Sequence, residues 1–409
     1  MKTLGIIAEY NPLHNGHHHH LQVSQKKTEA SRTVVVMSAS FMQRGEPAIC
    51  DKWSRAEMAI YAGADLVLEL PLPFACSSAD YFARGAVSIL AAAGCTHLAF
   101  GAEHPDLDRL TAIARYIEKE PLPFTRNLRY FLDKGHSFPR ARSLALQKAL
   151  DLNAELITSP NNILAIEYIR SIERAELSLQ PVVVPRQGAP YHGTILSGQM
   201  ASATAIRHHL QKKSCLEELA DFMPEQSYQI LRREVERGNA PVFPGDLGPL
   251  VLARLRVAGE EEIAQYPEIA PGLNNRLIQK AREAVDWNDL LEKAGARCFV
   301  RTRLQRILVY LLLNIRRDFQ EKIKFPETPL YFRPLAFNQK GRAILHELKE
   351  KEEMPLINRP TWKNRPGVPE IQHLLDLEIR ATDLWALQVP NPDWRRGGQD
   401  FRTPPLALF

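Results

Sequence analysis

The stretch from Thr3 to His20 constrains the fold more than any other part of the sequence. The apolar run Leu4–Ala8 predicts a buried strand, Asn11-Pro12 ends it, and Gly16 stands where a helix would begin. A strand–loop–helix turn of this kind brings free helix N–H groups and bare backbone close to any anion above the strand. We therefore expect an anion-binding loop at the start of the chain.

Histidines in this loop favour a phosphate as the anion. His14 and His17 are three residues apart, so one helical turn directs both imidazoles to the same place. The alternatives are a surface histidine cluster or a fragment of a purification tag at His17–His20, but the run follows a strand–loop–glycine pattern inside the chain. A metal site held by protein side chains is not expected, because consecutive histidines on a helix diverge and no suitably spaced Cys, Asp or Glu lies nearby.

Apolar runs alternate with helical patterns in the first half of the chain. The later runs predicted to form strands are Thr33–Met37, Ala64–Leu70, Thr96–Gly101 and Pro181–Pro185. This β-α-β-α order favours an α/β fold with a doubly wound, Rossmann-like parallel sheet over residues 1–215. Beyond it, helical patterns predominate, so we expect no further strand in the series and a mainly α-helical second domain over residues 216–409.

Polar residues follow the predicted strands, at the edge where open parallel sheets bind ligands. Gly101 would let an adenosine approach the backbone, although a plain turn glycine explains it nearly as well. Asn161 and Asn162 open a helix, where they could cap it or hold a ribose or base. Arg186 follows the last predicted strand and would face the crevice.

Cations near the second strand are less specific. Arg44, Lys52 and Arg55 could approach a pyrophosphate or an RNA backbone, and ordinary solvated charge is the alternative, which we favour for Lys52.

The segment from Ser202 to Arg207 is a second phosphate candidate. Its hydroxyls precede a helix, and Arg207 lies a turn later, an arrangement that can bind the β- and γ-phosphates of a nucleotide. A merely capped helix has equal weight until the first motif is considered, because the two together are much rarer by chance.

An ordered set of motifs resembles one family. N-P-L-H-N-G-H at residues 11–17 resembles the H-x-G-H signature of the nucleotidylyltransferase superfamily, and residues 202–207 resemble its S-x-T-x-I-R signature. Over nearly the whole chain the sequence is similar to the bacterial tRNA(Met) cytidine acetate ligases, through the motifs at residues 38–48, 51–55, 64–71, 100–103 and 159–164. Leu13, where the family usually has Phe, and the four-histidine run depart from its pattern.

The resemblance implies an enzyme that uses ATP, Mg²⁺ and acetate to make acetyl-adenylate and pyrophosphate. The acetyl group would then pass to the exocyclic amine of the wobble cytidine of elongator tRNA(Met). His14 and His17 would be catalytic, and Ser202, Thr204 and Arg207 would bind the leaving pyrophosphate. The residues expected to bind ATP are Ile7, Ala8, Glu9, Tyr10, Asn11, Pro12, Leu13, His14, Asn15, Gly16, His17, His20, Gly101, Asn161, Asn162, Arg186, Gln187, Ser202, Thr204 and Arg207.

The second half carries a basic helix that could bind the tRNA. Residues 301–350 contain 11 Lys and Arg against 5 Asp and Glu. The arginines expected to contact tRNA phosphates are Arg301, Arg303, Arg306, Arg316 and Arg317. A solvated helix side, or pairing with acidic residues inside the helical domain, is the alternative. In that case tRNA would bind elsewhere, most plausibly on the helix of Arg140 and Arg142.

Composition limits the remaining possibilities. A net charge of +5 permits an anionic partner without requiring one. No apolar run approaches the ~18 residues of a membrane helix, and the chain starts without a signal-peptide pattern, so we expect a cytoplasmic protein. Two other functions compete: a nucleotidyltransferase that makes a dinucleotide from a small phosphate, and a non-catalytic ATP-sensing RNA-binding protein. The former would not need a basic helical half, and the latter would not need both phosphate motifs.

We predict that His17→Ala abolishes acetate-dependent exchange of pyrophosphate into ATP and leaves tRNA binding intact, because loss of one preorganised donor costs about a hundred- to a thousandfold in rate. His19→Ala is the matched control, since residue 19 points about 160° away from His17 on a helix. Near-wild-type exchange in His17→Ala would remove His17 from the site, and equal losses in both variants would instead support a metal cluster.

Overall fold

The structure, a computed structural model, describes residues 1–150, 153–186, 200–212, 215–296, 298–322, 330–361 and 367–409. Seven strands form one sheet. The strands are β1 (Thr3–Ala8), β2 (Arg32–Ser38), β3 (Leu66–Leu70), β4 (His97–Ala102), β5 (Gln180–Pro185), β6 (Pro334–Phe337) and β7 (Leu406–Ala407).

The strand order is β5-β4-β1-β2-β3-β6-β7, and the first five strands are parallel. These five coincide with the predicted strands to within two residues at each end, so the doubly wound α/β fold is confirmed. The chain moves outward from β1 through β2 to β3 and then crosses to the other side of β1 to form β4. The carboxyl ends of β1 and β4 therefore flank the topological switch point, where such sheets bind ligands.

The expectation that the sheet ends with Pro181–Pro185 is wrong. Strand β6 pairs antiparallel with β3, and β7 pairs parallel with β6. Both strands are very short, and β6 begins with a proline, so no alternating pattern indicates them in the sequence. Two strands that follow the predicted boundary at residue 215 thus belong to the sheet of the first half, while the boundary itself stays a prediction.

Helices cover the sheet and make up most of the second half. In the first half they are α1 (Asn15–Thr28), α2 (Lys52–Tyr61), α3 (Leu72–Ala75), α4 (Ala79–Ala92), α5 (Leu107–Lys119), α6 (Leu122–Asp133), α7 (Phe138–Leu150), α8 (Ala154–Thr158), α9 (Pro160–Arg174) and α10 (Ala203–Gln211). The later ones are α11 (Glu225–Glu236), α12 (Gly248–Val257), α13 (Glu260–Ala264), α14 (Leu273–Glu283), α15 (Trp287–Ala294), α16 (Arg301–Leu313), α17 (Arg317–Lys322), α18 (Gln339–Lys351), α19 (Pro369–Ala386) and α20 (Gln399–Arg402). Short 3₁₀ helices span Leu216–Phe222, Pro244–Leu247 and Pro392–Trp394. In the described parts of the chain, no helix combines the length and apolar character needed to cross a bilayer.

Four apolar cores form among the described residues, and three of them are large. On one face of the sheet, alternate strand residues such as Val34 pack against α4, α5 and α9. On the other face, neighbours such as Val35 pack against α1, α2, α10 and α11. Successive side chains of a strand point to opposite faces of the sheet, so the consecutive residues Val34 and Val35 pack in different cores. A third core, around Trp287, joins α12, α14, α15 and α16.

Four buried charged side chains join the two halves of the chain. The Nζ atom of Lys52 lies 2.6 Å from Glu69 Oε1 and 2.6 Å from Asp400 Oδ1. Arg333 contacts the same two carboxylates, with Nη1 3.1 Å from Glu69 Oε2 and Nη2 hydrogen-bonded to Asp400. Each of these side chains is at most 1% exposed. One ion cluster thus connects α2, β3, the residue before β6, and α20.

Glu378 of α19 adds a third carboxyl group to this ion cluster. Burial, aided by the negative charge of Glu69, raises the pKa of Glu378 well above its ordinary value. Burial also acts to raise the pKa of Asp400, but the charges of Arg333 and Lys52 outweigh it and lower that pKa to about 2. Two cations therefore stand among three buried carboxyl groups, and burial disfavours the charged form of Glu378.

We predict that Lys52→Met destabilises the protein by about 3–5 kcal/mol, because it leaves two buried carboxylates with a single cation. Urea unfolding measures this free energy. Lys2→Met is the matched control, since it breaks an exposed pair with Glu29 whose contribution to stability is small. Equal stability of the two variants would show that the ion cluster does not hold the halves together.

Candidate active site

His14 begins α1 and organises its first turn. It is the N-cap residue, and its Nδ1 accepts a hydrogen bond from Gly16 N at 3.0 Å. The backbone N of His14 donates to His17 Nδ1 at 3.4 Å, and the two rings stack with centroids 3.8 Å apart. Because Nδ1 of His14 accepts this hydrogen bond, the neutral ring carries its own proton on Nε2. The structure thus brings the two predicted catalytic imidazoles together and leaves His14 a donor through Nε2.

Both imidazoles are neutral at physiological pH. Burial, with the positive charges of Arg186 and Arg207, lowers the pKa of His14 to about 3. Burial, followed by the charge of His14, also lowers the pKa of His17, while a hydrogen bond to the Pro12 backbone acts in the opposite direction. Neutral imidazoles donate hydrogen bonds without supplying charge, so attraction for an anion comes from the two arginines.

Arg207 connects the second motif to the first. Its helix, α10, begins at the N-cap residue Ser202, whose Oγ accepts a hydrogen bond from Ala205 N at 3.1 Å. From the second turn, Arg207 donates to the carbonyl oxygen of Asn11 at 2.8 Å and pairs with Glu46 at 3.1 Å. The two predicted phosphate motifs, separated by nearly 200 residues, therefore meet at one crevice, although hydroxyl contacts of Ser202 and Thr204 with ATP stay predictions.

Glu103, directly after β4, forms the opposite wall. Its carboxylate lies 3.7 Å from Arg186 and accepts hydrogen bonds from Asn161 Nδ2 at 2.7 Å and Asn162 N at 3.1 Å. A carboxylate is favourable there because it faces the positive end of the α9 dipole. Neither Glu103 nor Glu46 is assigned a role from the sequence alone. Each follows a predicted strand, and that position is the signal by which they could have been found.

The two asparagines of α9 differ in what they can offer a ligand. Asn162 is fully buried, and its side chain accepts from His104 N at 3.2 Å and donates to the Leu156 carbonyl at 3.0 Å. Asn161 is partly exposed at the crevice. The predicted ATP contact is thus sterically open to Asn161, whereas Asn162 positions the helix, and both ATP contacts stay predictions.

Several other predicted ATP-binding residues are buried in the fold. These are Tyr10, Asn11, Pro12 and Leu13, and, as for the buried His14, their contacts with ATP stay predictions. Asn11 accepts from Ile49 N at 2.7 Å and thereby fixes the neighbouring loop. The side-chain amide of Asn15 donates to the carbonyl of Asp221 at 2.8 Å, while Ile7 and Ala8 are partly exposed at the end of β1. Gln187 lies outside the described residues.

The side chain of His20 in α1 lies next to Gly101 in β4. A Cβ on Gly101 would stand 3.9 Å from His20 Cδ2, an ordinary contact, so the backbone of Gly101 is open on this side. Burial lowers the pKa of His20 to about 4, and a hydrogen bond to the Phe100 backbone opposes this. The Nε2 atom of His20 is buried without a hydrogen-bond partner among the described residues. This geometry is compatible with the predicted approach of an adenosine.

Contacts from both halves hold the loop between β2 and α2 beside the crevice. Gln43 N donates to the carboxylate of Glu9 at 2.7 Å, and burial raises the pKa of Glu9. Gly45 has a φ of 76°, and a Cβ on it would overlap the backbone of Arg306 in α16. Only glycine combines this φ with such a close approach. The second half of the chain therefore packs directly against the site.

Two cations near this loop have structural roles. Arg55 is fully buried and donates to the carbonyls of Glu9 at 2.8 Å and Ser38 at 2.9 Å, at the ends of β1 and β2. The expectation that Arg55 could approach a polyanion is wrong, because these carbonyls occupy its guanidinium. Lys52 lies in the ion cluster, so it is neither a polyanion contact nor the solvated charge that we favoured.

The five arginines expected to bind tRNA all have partners within the chain. The partners are Asn288 Oδ1 for Arg301 at 2.6 Å, the Glu268 carbonyl for Arg303 at 3.0 Å, the Glu268 carboxylate for Arg306 at 2.7 Å, the Glu262 carboxylate for Arg316 at 3.3 Å, and the Ile269 carbonyl for Arg317 at 3.0 Å. Arg306 and Arg316 pair with carboxylates, as the alternative of acidic pairing expects, whereas the other three arginines bond to amide or carbonyl oxygens. The tRNA-binding role of these arginines stays a prediction, and fulfilling it would require several of them to exchange partners.

Within the described ranges, no group of three or more His, Cys, Asp or Glu side chains is arranged to hold a metal ion. A divalent cation at this crevice would therefore depend on oxygens that a ligand supplies, such as those of a triphosphate.

The chain is similar to known proteins over nearly its whole length. Residues 1–400 match the HIGH Nucleotidyl Transferase family. The tRNA(Met) cytidine acetate ligase of Alkaliphilus metalliredigens is 39% identical over 99% of this chain and 98% of its own. That of Acetivibrio thermocellus is 40% identical over 98% of each chain. A crystal structure of Thermotoga maritima TmcAL bound with alpha-thio ATP has a TM-score of 0.93 and 34% identity, covering 100% of both chains.

We predict that the low pKa of His14 makes the protein less stable in acid. The unfolded chain takes up a proton on this ring near pH 6.5, but the folded protein does so only near pH 3. The free energy of unfolding therefore keeps its full value above pH 6.5 and decreases as the pH falls towards 3. His14→Asn removes this linkage and keeps an N-cap acceptor. We therefore expect urea unfolding to show a loss of stability between pH 7 and pH 5 that is about 2 kcal/mol smaller in the variant.

His14→Ala serves as the control, because it lacks both the imidazole and the cap. It should be about 1 kcal/mol less stable than His14→Asn at either pH, with the same dependence on pH. If wild type and His14→Asn lost equal stability between pH 7 and pH 5, His14 would not be held neutral by the fold.

Proposed function

Because the chain belongs to the HIGH Nucleotidyl Transferase family and, within it, to the tRNA(Met) cytidine acetate ligases, we propose that it acetylates the wobble cytidine of elongator tRNA(Met) in two ATP-dependent steps in the cytoplasm. In the first step, an acetate oxygen attacks the α-phosphorus of ATP. The bond from the α-phosphorus to the bridging oxygen breaks, and pyrophosphate leaves with the electron pair. Acetyl-adenylate remains on the enzyme.

In the second step, the exocyclic amine of the cytidine attacks the acetyl carbonyl. The bond from that carbon to the AMP oxygen breaks, the nitrogen loses a proton, and AMP leaves. The products are an N-acetylated cytidine and AMP. Activation of acetate in the first step makes the acyl transfer favourable, so the protein needs to position the reactants and does not need a covalent nucleophile.

The side chains at the crevice suit the first step. Nε2–H of His14 and the neighbouring His17 would donate to the α-phosphate as negative charge develops on it. Arg207 would exchange its bond to Glu46 for the oxygens of the leaving pyrophosphate, and Arg186 would neutralise the phosphates from the β5 side. Neutral imidazoles matter here, because their donor protons are retained over the whole physiological pH range.

Magnesium would enter with ATP. The described residues offer no ready cluster of ligands, so we propose that the phosphates themselves hold the ion, which would neutralise part of their charge.

One observation carries the proposal. His14 and His17, which follow β1, and Arg207, near residue 200, converge at the switch point between β1 and β4. A helix N-terminus with two imidazoles on one side and arginines on two others fits a triphosphate whose α-phosphate is attacked. The near-identical fold of TmcAL, whose crystal structure contains an ATP analogue, supports the same occupant.

We predict that the protein transfers label from radioactive acetate to tRNA when ATP and Mg²⁺ are present. Acid-precipitable counts measure the transfer, and nuclease digestion should place the label on N-acetylcytidine. Pyrophosphate exchange into ATP should need acetate but no tRNA, because the first step precedes the acceptor. Purified elongator tRNA(Met) should take up label, and an otherwise identical transcript with uridine at the wobble position should not.

Two outcomes would contradict the proposal. Label that passes from ATP to a small phosphate would identify a dinucleotide-forming enzyme. ATP binding without acetate-dependent exchange would identify a non-catalytic protein.

A further inference from the structure

The helical hairpin formed by α6 and α7 is rich in positive charge. The reaction steps proposed above do not involve these charges. Residues 121–150 contain six Lys and Arg against one acidic residue. Arg142 is the inward one, because it pairs with the buried Glu167 of α9 at 2.6 Å. The other five, which we name the hairpin cations, are exposed: Arg126, Arg129, Lys134, Arg140 and Lys148.

The hairpin cations differ in their partners from the arginines of α16 and its flanks. No ion pair joins any of them to another described residue, although most arginines of α16 and its flanks are bonded to carboxylates or carbonyls. Arg126 and Arg129 are three residues apart and so project from the same side of α6. A one-sided group of uncompensated cations creates a positive potential that favours a polyanion over a single small anion.

Two of the hairpin cations lie close to the ring of Tyr130. The ammonium groups of Lys134 and Lys148 lie 5.7 and 5.8 Å from the centre of its ring. Two like charges held around one aromatic ring repel each other, and an intervening phosphate would relieve that repulsion. Tyr130 itself is 53% exposed, and Phe138, at the start of α7, is 54% exposed. Exposed aromatic side chains among cations are the combination that binds unstacked nucleotides.

The hairpin is also packed against the rest of the first half through its inner side. Its inner side is buried through Phe124 and Ala145, and the pair between Arg142 and Glu167 fixes α7 to α9. Helix α7 leads through α8 to the start of α9, where Asn161 contacts Glu103 at the crevice wall. The hairpin is therefore connected through α8 to the helix whose first turn borders the candidate active site.

We propose that the α6–α7 hairpin is the principal tRNA-binding surface, with the hairpin cations on backbone phosphates and Phe138 stacked on an unpaired base. This proposal rests on the proposed function for the identity of the RNA. It moves the main contact away from the arginines of α16, which the fold already uses. The aromatic residues suit a single-stranded loop, in keeping with a target base in the anticodon.

The test compares two triple variants with the same change in net charge. The hairpin variant is Arg126→Gln/Arg129→Gln/Arg140→Gln. The control variant is Arg282→Gln/Arg342→Gln/Lys349→Gln, which alters exposed cations of α14 and α18. Glutamine preserves helix propensity, and thermal unfolding checks that both variants stay folded. Binding of elongator tRNA(Met) is measured by fluorescence anisotropy from 50 to 300 mM KCl.

We expect the hairpin variant to bind tRNA at least tenfold more weakly and the slope of log Kd against log salt to fall by roughly 2 to 3, because each phosphate contact contributes about 0.7–0.9. The control variant should change affinity less than about twofold. Phe138→Leu should weaken binding about tenfold with an unchanged salt slope, since stacking involves no released counterion. Equal losses in the two triple variants, or no loss in the hairpin variant, would overturn the proposal, and a larger loss in Arg301→Gln/Arg317→Gln would return the surface to α16.

Failure of this proposal can be distinguished from failure of the proposed function. Acetate-dependent pyrophosphate exchange should be unchanged in the hairpin variant, because adenylation does not need tRNA. Normal exchange with normal tRNA binding in that variant would reject the hairpin alone. A wild-type protein that shows no exchange would reject the ligase function, while the binding comparison would still judge the hairpin.

Discussion

The ion cluster of Lys52, Glu69, Arg333 and Asp400 is the interaction on which the arrangement of the two halves depends. Its members come from residues scattered over most of the chain, and each is almost completely removed from water. A buried charge without a counter-charge is strongly unfavourable, so the C-terminal segment must dock for Lys52 and Glu69 to be tolerated. The ion pairs form only where all four side chains meet, so they define where the C-terminal segment contacts the sheet. Because Gly45 packs against the backbone of α16, the docked second half also fixes the loop beside the crevice.

The crevice itself follows from strand order. In a sheet whose chain turns back across β1, the loops after β1 and β4 diverge and leave an open cleft. The residues there form a layered arrangement: neutral imidazoles at the helix start, arginines beside them, and carboxylates that hold the arginines until a ligand replaces them. Arg207 bound to Glu46 and Arg186 beside Glu103 illustrate the last layer. Such pairs keep cations oriented and lower the cost of ordering them when a triphosphate binds.

Positive charge in this chain has two different uses, which composition cannot separate. The arginines in and just after α16 fall in the most basic-looking part of the second half, yet they bond to Glu262, Glu268 and backbone carbonyls and so tie helices together. The hairpin cations belong to a shorter basic segment but keep their charges exposed. Acidic partners distant in sequence account for the difference, because a guanidinium is neutralised by whatever carboxylate the fold places within reach.

Local patterns in the sequence determined the five parallel strands, the start of α1 near Gly16, the start of α9 and the pairing of two phosphate motifs, because strand runs and helix starts depend on neighbouring residues. Tertiary structure alone decided that β6 and β7 complete the sheet, that Arg55 and Lys52 are buried, and that Glu46 and Glu103 hold the site arginines. Each of these depends on a partner far away in the chain, such as Asp400 for Lys52. A local sequence pattern cannot indicate a contact between residues so far apart. The energy of such a contact depends on desolvation and charge balance in the folded interior.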